Sequence, residues 1–309
     1  MRESGRAPAP GRFVAIAAVA SILVTSCAGD GNQTADGDRI VVATTNILGD
    51  VARNVVGDAA TVEVLLPLGV DPHDFRPSAQ DAAIVQRADL VIANGLGLEE
   101  GLDDVLRSAE ADGANVLRIG EQVDPVPFGA DATSAKDPHV WLDPLRMAEA
   151  AHVIAAELAA VDDGVDWARG ADAYADALAD ADSRIRQIVS VIAPADRKLV
   201  TNHDSLRYFA LRYGFDVVGT VIPGGTTLAD PSSAELAQLV ATIQAEGVAA
   251  IFVETTESHT LAEAIARDLG SEIAIVELYA GSLGASGSGA DSLIGMLVIN
   301  AERIAEALS

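Results

Sequence analysis

From residue 39 onward, short runs of β-branched and other apolar residues alternate with longer stretches whose apolar positions recur at helical spacing. Residues 40–44, 61–65, 90–93 and 115–119 read as buried strands, and residues 48–56, 79–87 and 99–109 between them as helices. A second series repeats the rhythm, with strands over 198–201, 217–221, 249–253 and 273–277 and helices over 204–213, 232–246, 260–269 and 291–308. Ser232 followed three residues later by Glu235 marks a capped helix start. Such alternation predicts parallel sheets covered by helices on both faces. Between the two series lies an alanine-rich stretch without strand signal, with Ile185, Ile188, Val189 and Ile192 at i, i+3, i+4 and i+7. No glycine or proline interrupts residues 171–193, so one helix of about 23 residues and about 35 Å is expected there. The fold class expected is α/β with two lobes, each a mostly parallel sheet flanked by helices. The first lobe is expected over 39–165, a long linking helix over 166–195 and the second lobe over 196–309. A single helix between lobes restricts hinge motion more than a flexible multi-strand hinge does.

Composition adds three constraints. A length of 309 residues suffices for two domains with cores of their own, and with only 4% aromatics those cores are built from Ala, Val, Leu and Ile. Twenty Lys and Arg stand against 46 Asp and Glu, for a net charge of −26. That balance excludes nucleic acid as a partner, argues against a membrane-surface role for the folded part, and suits a soluble domain that attracts cations. Finally, Arg2, Arg6 and Arg12 precede an apolar run over 13–24 that closes in Val24-Thr25-Ser26-Cys27. This is the layout of a bacterial lipoprotein leader, so residues 1–26 are expected as signal peptide and Cys27 as lipid anchor. Residues 27–38, rich in Gly, Asp and Asn, read as a tether, and the lone cysteine permits no intrachain disulfide. An exported chain anchored by lipid on the outer face of the cell membrane is expected.

The five histidines carry the candidate chemistry. His73 and His139 each close an Asp-Pro-His tripeptide, and the proline stiffens the turn from which each imidazole projects. His203 follows directly on the expected strand 198–201, where α/β domains place ligands. Three imidazoles converging from strand-end loops suit zinc, which favours nitrogen donors in tetrahedral array, whereas a manganese site would offer more carboxylates. Asp71, Asp137, Asp143 and Asp204 are candidates for accepting the second N–H of these rings. His152 and His259 read as a solvated helix residue and a helix-start residue. Trp141 and Phe75 are expected to pack around the site. No HExxH helix occurs, and no general base stands out beside a candidate ligand.

Asp-Pro-His-x-Phe-x-Pro-Ser at 71–78 and Asp-Pro-His-Val-Trp-Leu-Asp-Pro at 137–144 together give the chain a family resemblance. With the leader box, residues 202–210, Ile-Phe-Val-Glu at 251–254 and Glu-Leu-Tyr at 277–279, it resembles the zinc- and manganese-binding receptors of bacterial ABC importers over essentially the whole mature chain. The resemblance implies a non-enzymatic receptor that captures one metal ion between two lobes and delivers it to a membrane permease, acting as a monomer. It assigns His73, His139 and His203 as ligands. Histidine at the third position resembles the zinc-type members, so Zn2+ is the expected cargo. The alternatives are manganese or another divalent metal, or a three-histidine zinc metalloenzyme. Two departures stand out. The family's fourth ligand is an aspartate where this chain has Gly281, leaving water, Glu254 or Asp230 as substitutes. The loop over 124–137 holds no histidine before His139, so a metal-collecting loop is weak or absent.

Overall fold

The computed structural model describes residues 39–128, 134–270 and 273–309, which form two four-stranded parallel sheets among packed helices. The expected leader, Cys27 and the tether lie outside the described residues, as does part of the loop before His139. The first sheet contains β1 (Ile40–Ala43), β2 (Thr61–Val64), β3 (Leu90–Ala93) and β4 (Val116–Arg118), in the order β2-β1-β3-β4. The second contains β5 (Lys198–Thr201), β6 (Asp216–Thr220), β7 (Ala250–Glu254) and β8 (Ala274–Leu278), in the matching order β6-β5-β7-β8. Every expected strand is present, shifted by at most a residue or two at its ends. The central strands are buried throughout or nearly so, which is why they read as apolar runs. In both sheets the chain crosses from one side of the first strand to the other, and the crevice at that switch is where such sheets hold ligands.

The helices of the first half are α1 (Asn46–Val56), α2 (Ala79–Gln86), α3 (Asp103–Ala111) and α4 (Pro144–Val161). Those that follow are α5 (Trp167–Val189), α6 (Arg207–Tyr213), α7 (Ser233–Glu246), α8 (Thr260–Leu269) and α9 (Leu293–Leu308). Ser232 and Glu235 form the expected capping box on α7, and Ser78 with Asp81 forms another on α2. Helix α4 begins at Asp143, whose side chain accepts from the Leu145 amide, with Pro144 in the first turn.

The expected linking helix is α5, but it starts before its glycine-free stretch and stops earlier, at Val189. Pro194 holds Ala193 extended, so the chain leaves the helix although Ile192 stays buried. At the other end Gly170 lies inside the helix. A Cβ there would sit 2.1 Å from the Val55 carbonyl oxygen, so only glycine lets α5 lie this close to α1. Helix α5 packs on α1, α4 and α9, and one apolar cluster runs from Val41 and Ile92 through Trp167 and Leu178 to Phe252 and Met296. Separate cores for the two halves were expected. Instead, two satellite clusters, on the outer faces of the two sheets, flank one shared core.

Candidate metal centre

The three candidate histidines meet. His73 sits in the loop between β2 and α2, His139 at the turn before α4, and His203 two residues beyond β5. All three are buried. The Nε2 atoms of His73 and His139 are 3.4 Å apart, and those of His203 and His139 3.2 Å. Nitrogens held about 2.0–2.1 Å from a tetrahedral zinc ion lie about 3.3–3.4 Å from one another. No covalent constraint brings these rings together, and the three ligand atoms form a group of a size that could hold a metal ion.

Each Asp-Pro-His turn is built in the same way. Asp71 accepts the His73 amide at 2.9 Å, and Asp137 accepts the His139 amide at 3.0 Å. The proline between fixes φ, so each ring leaves a closed two-residue turn in one direction. Only the second turn also holds its ring: Asp137 lies 2.7 Å from His139 Nδ1, which directs Nε2 to the trio. Asp71 instead accepts the Thr227 hydroxyl at 2.5 Å. Asp143 caps α4 and pairs with Arg146 and Arg212, so it serves the helix rather than a ring. Burial and the nearby Asp137 carboxylate push the Asp204 carboxyl above the usual range. Of the four aspartates expected as ring acceptors, Asp137 has that role.

Glu254 and Asp230 were the candidates for a fourth ligand. Glu254 lies on the other side of His203, with Oε1 3.0 Å from Nδ1, and belongs to a group separate from the three Nε2 atoms. The end of β7 sets that side, and the Ser205 hydroxyl donates to the same oxygen at 2.6 Å. Asp230 is exposed and belongs to neither group. Glu257 was not anticipated. Its Oε1 lies 3.1 Å from His203 Nδ1, and Asn202 donates to its Oε2 at 2.7 Å. A signal was available in Glu-Thr-Thr-Glu, two carboxylates flanking the turn just past a buried strand. Gly281 borders the site: a Cβ there would lie 3.3 Å from Pro72 Cδ and 3.6 Å from Glu254 Oε2.

Electrostatics follow from burial among these groups. Burial and the rings of His139 and His203 lower His73 to about 3, so it is neutral and free to ligate at any physiological pH. Burial also opposes a proton on His203, but the Glu254 and Glu257 carboxylates outweigh it and raise that ring to about 10. Burial would raise the Glu254 carboxyl, yet the adjacent His203 holds it below its usual range.

Contacts from both halves complete the surroundings. Trp141 stands edge-on to His139 at 5.3 Å between centroids, and its indole N–H donates to the Ala280 carbonyl at 2.8 Å. Tyr208 of α6 donates to the Asp137 carbonyl at 2.8 Å. Phe75 packs with the outer cluster of the first sheet instead of facing the rings. His152 is exposed beside Asp172, and His259 precedes α8 with Nε2 3.1 Å from the Glu254 carbonyl.

Residues 41–307 match the family described as ZnuA, zinc-uptake complex component A, periplasmic. The manganese-binding lipoprotein MntA of Halalkalibacterium halodurans is 30% identical over 301 residues, covering 96% of this chain and 98% of that one. The zinc-binding protein TroA of Treponema pallidum is 28% identical over 292 residues, covering 92% and 94%. The solved structure of TroA superposes with a TM-score of 0.81 over 88% of this chain and all of that one. The iron ABC transporter substrate-binding lipoprotein MtsA of Streptococcus pyogenes serotype M1 is 26% identical over 296 residues, covering 93% and 94%. With the fold, the buried histidine trio and the match over most of its length in agreement, the chain belongs to the ZnuA family of metal-binding substrate-binding proteins of ABC importers.

Proposed function

We propose that this protein is a zinc receptor, holding one Zn2+ per chain on His73, His139 and His203 and delivering it to a membrane permease. The observation that carries the reading is the spacing of the three buried Nε2 atoms, 3.2 and 3.4 Å for the two pairs that share His139. A nitrogen-only trio suits a borderline-soft ion better than a hard one. The fourth position is open to water beside Gly281, which offers no side-chain donor. Lipidation at Cys27 would keep the receptor, a monomer, on the outer face of the cell membrane, and the names of MntA and MtsA as lipoproteins support the anchor. In the same reading α5 links a first lobe, 39–165, to a second, 196–309, each supplying part of the site. Relatives named for manganese and iron make the metal the point to test. Titration of the metal-stripped protein with zinc should show saturable one-to-one binding that His139→Ala weakens at least tenfold. Absence of one-to-one binding would sink the proposal.

A further inference from the structure

Around His203 the structure leaves a second group of donors, on the opposite side of the ring from the trio. His203 Nδ1, Glu254 and Glu257 form a separate set that could hold a metal ion. Their side chains are 2%, 5% and 8% exposed. Nδ1 is 3.0 Å from Glu254 Oε1 and 3.1 Å from Glu257 Oε1. Both His203 Nδ1 and Glu257 Oε1 are buried without a hydrogen bond, and so is Asn202 Oδ1 beside them. Three such atoms on adjoining residues call for an explanation, and an ion is one of the few available. Two buried carboxylates share the one positive charge that a protonated His203 can offer, and a divalent cation in place of that proton would offset both.

We propose that His203 Nδ1, Glu254 and Glu257 form a second, oxygen-rich seat for a hard divalent cation, Mn2+, alternative to the zinc seat on the three Nε2 atoms. Donors about 2.1–2.3 Å from an octahedral ion lie about 3.0–3.2 Å apart in cis, as Nδ1 does from each of the two carboxylates. Two carboxylates with one imidazole, completed by water, suit Mn2+ better than zinc. Water has access, because Glu257 also lines an open cavity of about 380 Å³ with Asp71, Asp74, Thr227 and Thr256. Asn202 already holds the outer oxygen of Glu257, and Ser205 donates to Glu254 Oε1, fixing the oxygen that faces Nδ1. A neutral imidazole has one lone pair, so His203 serves one seat at a time. The two cations therefore exclude each other, and total occupancy stays at one per chain. The seat rests on the zinc reading only for this exclusion.

The test is Mn2+ titration of the metal-stripped protein, followed by loss of the electron paramagnetic resonance signal of free Mn2+, alongside zinc titration. In His139→Ala, which breaks only the trio, Mn2+ affinity should stay within about threefold while zinc affinity falls at least tenfold. In Glu257→Gln, Mn2+ affinity should fall at least tenfold, and zinc should displace Mn2+ one for one from the wild type. Equal loss of Mn2+ binding in His139→Ala would place both metals on the trio and overturn the second seat, as would unchanged Mn2+ binding in Glu257→Gln. Unchanged zinc binding in His139→Ala would instead overturn the trio and leave the second seat standing. Anomalous scattering from Mn2+-loaded wild-type crystals needs no variant. A peak within about 2.3 Å of Glu257 Oε1 supports the seat, and one among the three Nε2 atoms overturns it.

Discussion

Replacing Gly281 with aspartate would put a carboxylate beside the open position of the trio. Gly281 does not occupy the left-handed region, so its backbone accepts a side chain without strain. The new Cβ would meet Thr256 Oγ1 at 3.1 Å and Pro72 Cδ at 3.3 Å, contacts relieved by shifts of a few tenths of an ångström. Beyond that carbon the carboxylate comes near Glu254, whose Oε2 lies 3.6 Å from the Cβ position. Two carboxylates about 4 Å apart repel by about 4 kcal/mol at an effective dielectric constant of 20, before any relaxation. The metal-free variant should therefore be less stable than the wild type. Zinc removes that repulsion and gains an anionic donor in place of water. Affinity should rise about 10- to 100-fold, or about 1.4–2.7 kcal/mol, set against the small steric cost. The assay pairs competition against a chelator of known affinity with melting of the metal-free and zinc-loaded forms. The melting temperature should drop without metal, and the zinc-induced rise should exceed that of the wild type. Unchanged or weaker affinity, with an unchanged metal-free melt, would refute the reasoning by showing that the open position does not face residue 281.

Three further outcomes are expected. Asp137→Asn removes the charge that holds His139 Nδ1 and should weaken zinc binding about 10- to 100-fold, read by the same competition. His203 titrates at about 10 in the metal-free protein, above its unfolded value of 6.5, so its stabilising contribution is full below pH 6.5 and lost as pH rises through 10. Zinc must displace that proton, so calorimetry at pH 7 in buffers of different ionisation enthalpy should register about one proton released per zinc. No release would show that Glu254 and Glu257 do not hold a proton on this ring. Gly170→Ala would press a methyl group against the Val55 carbonyl and force α5 from α1, costing about 1–3 kcal/mol, seen as a lower melting temperature with unchanged zinc stoichiometry.

Much of this protein was legible in the linear chain. The apolar runs and helical periods located every strand and most helices within a residue or two; the central strands, buried on both faces, leave no polar alternation to confuse the reading. The paired Asp-Pro-His turns marked His73 and His139 because proline and the aspartate two residues before each ring impose a local geometry that needs no distant contact. Position 281 stood out only against the aspartate that the family resemblance implies, because glycine carries no donor. What lay beyond reach depended on residues far apart in sequence. That the three Nε2 atoms meet follows from how two sheets are set around one shared core, and no local pattern encodes it. Gly170 looked unremarkable until its contact with the Val55 carbonyl, more than a hundred residues away, gave it a reason. Glu254 reads in sequence as a substitute fourth ligand to the trio, but the end of β7 aims its Oε1 at Nδ1 of His203. Glu257 joins it there from the following turn. Which nitrogen of an imidazole faces which donors is decided by packing alone, and at His203 that decides what each side of the ring can bind.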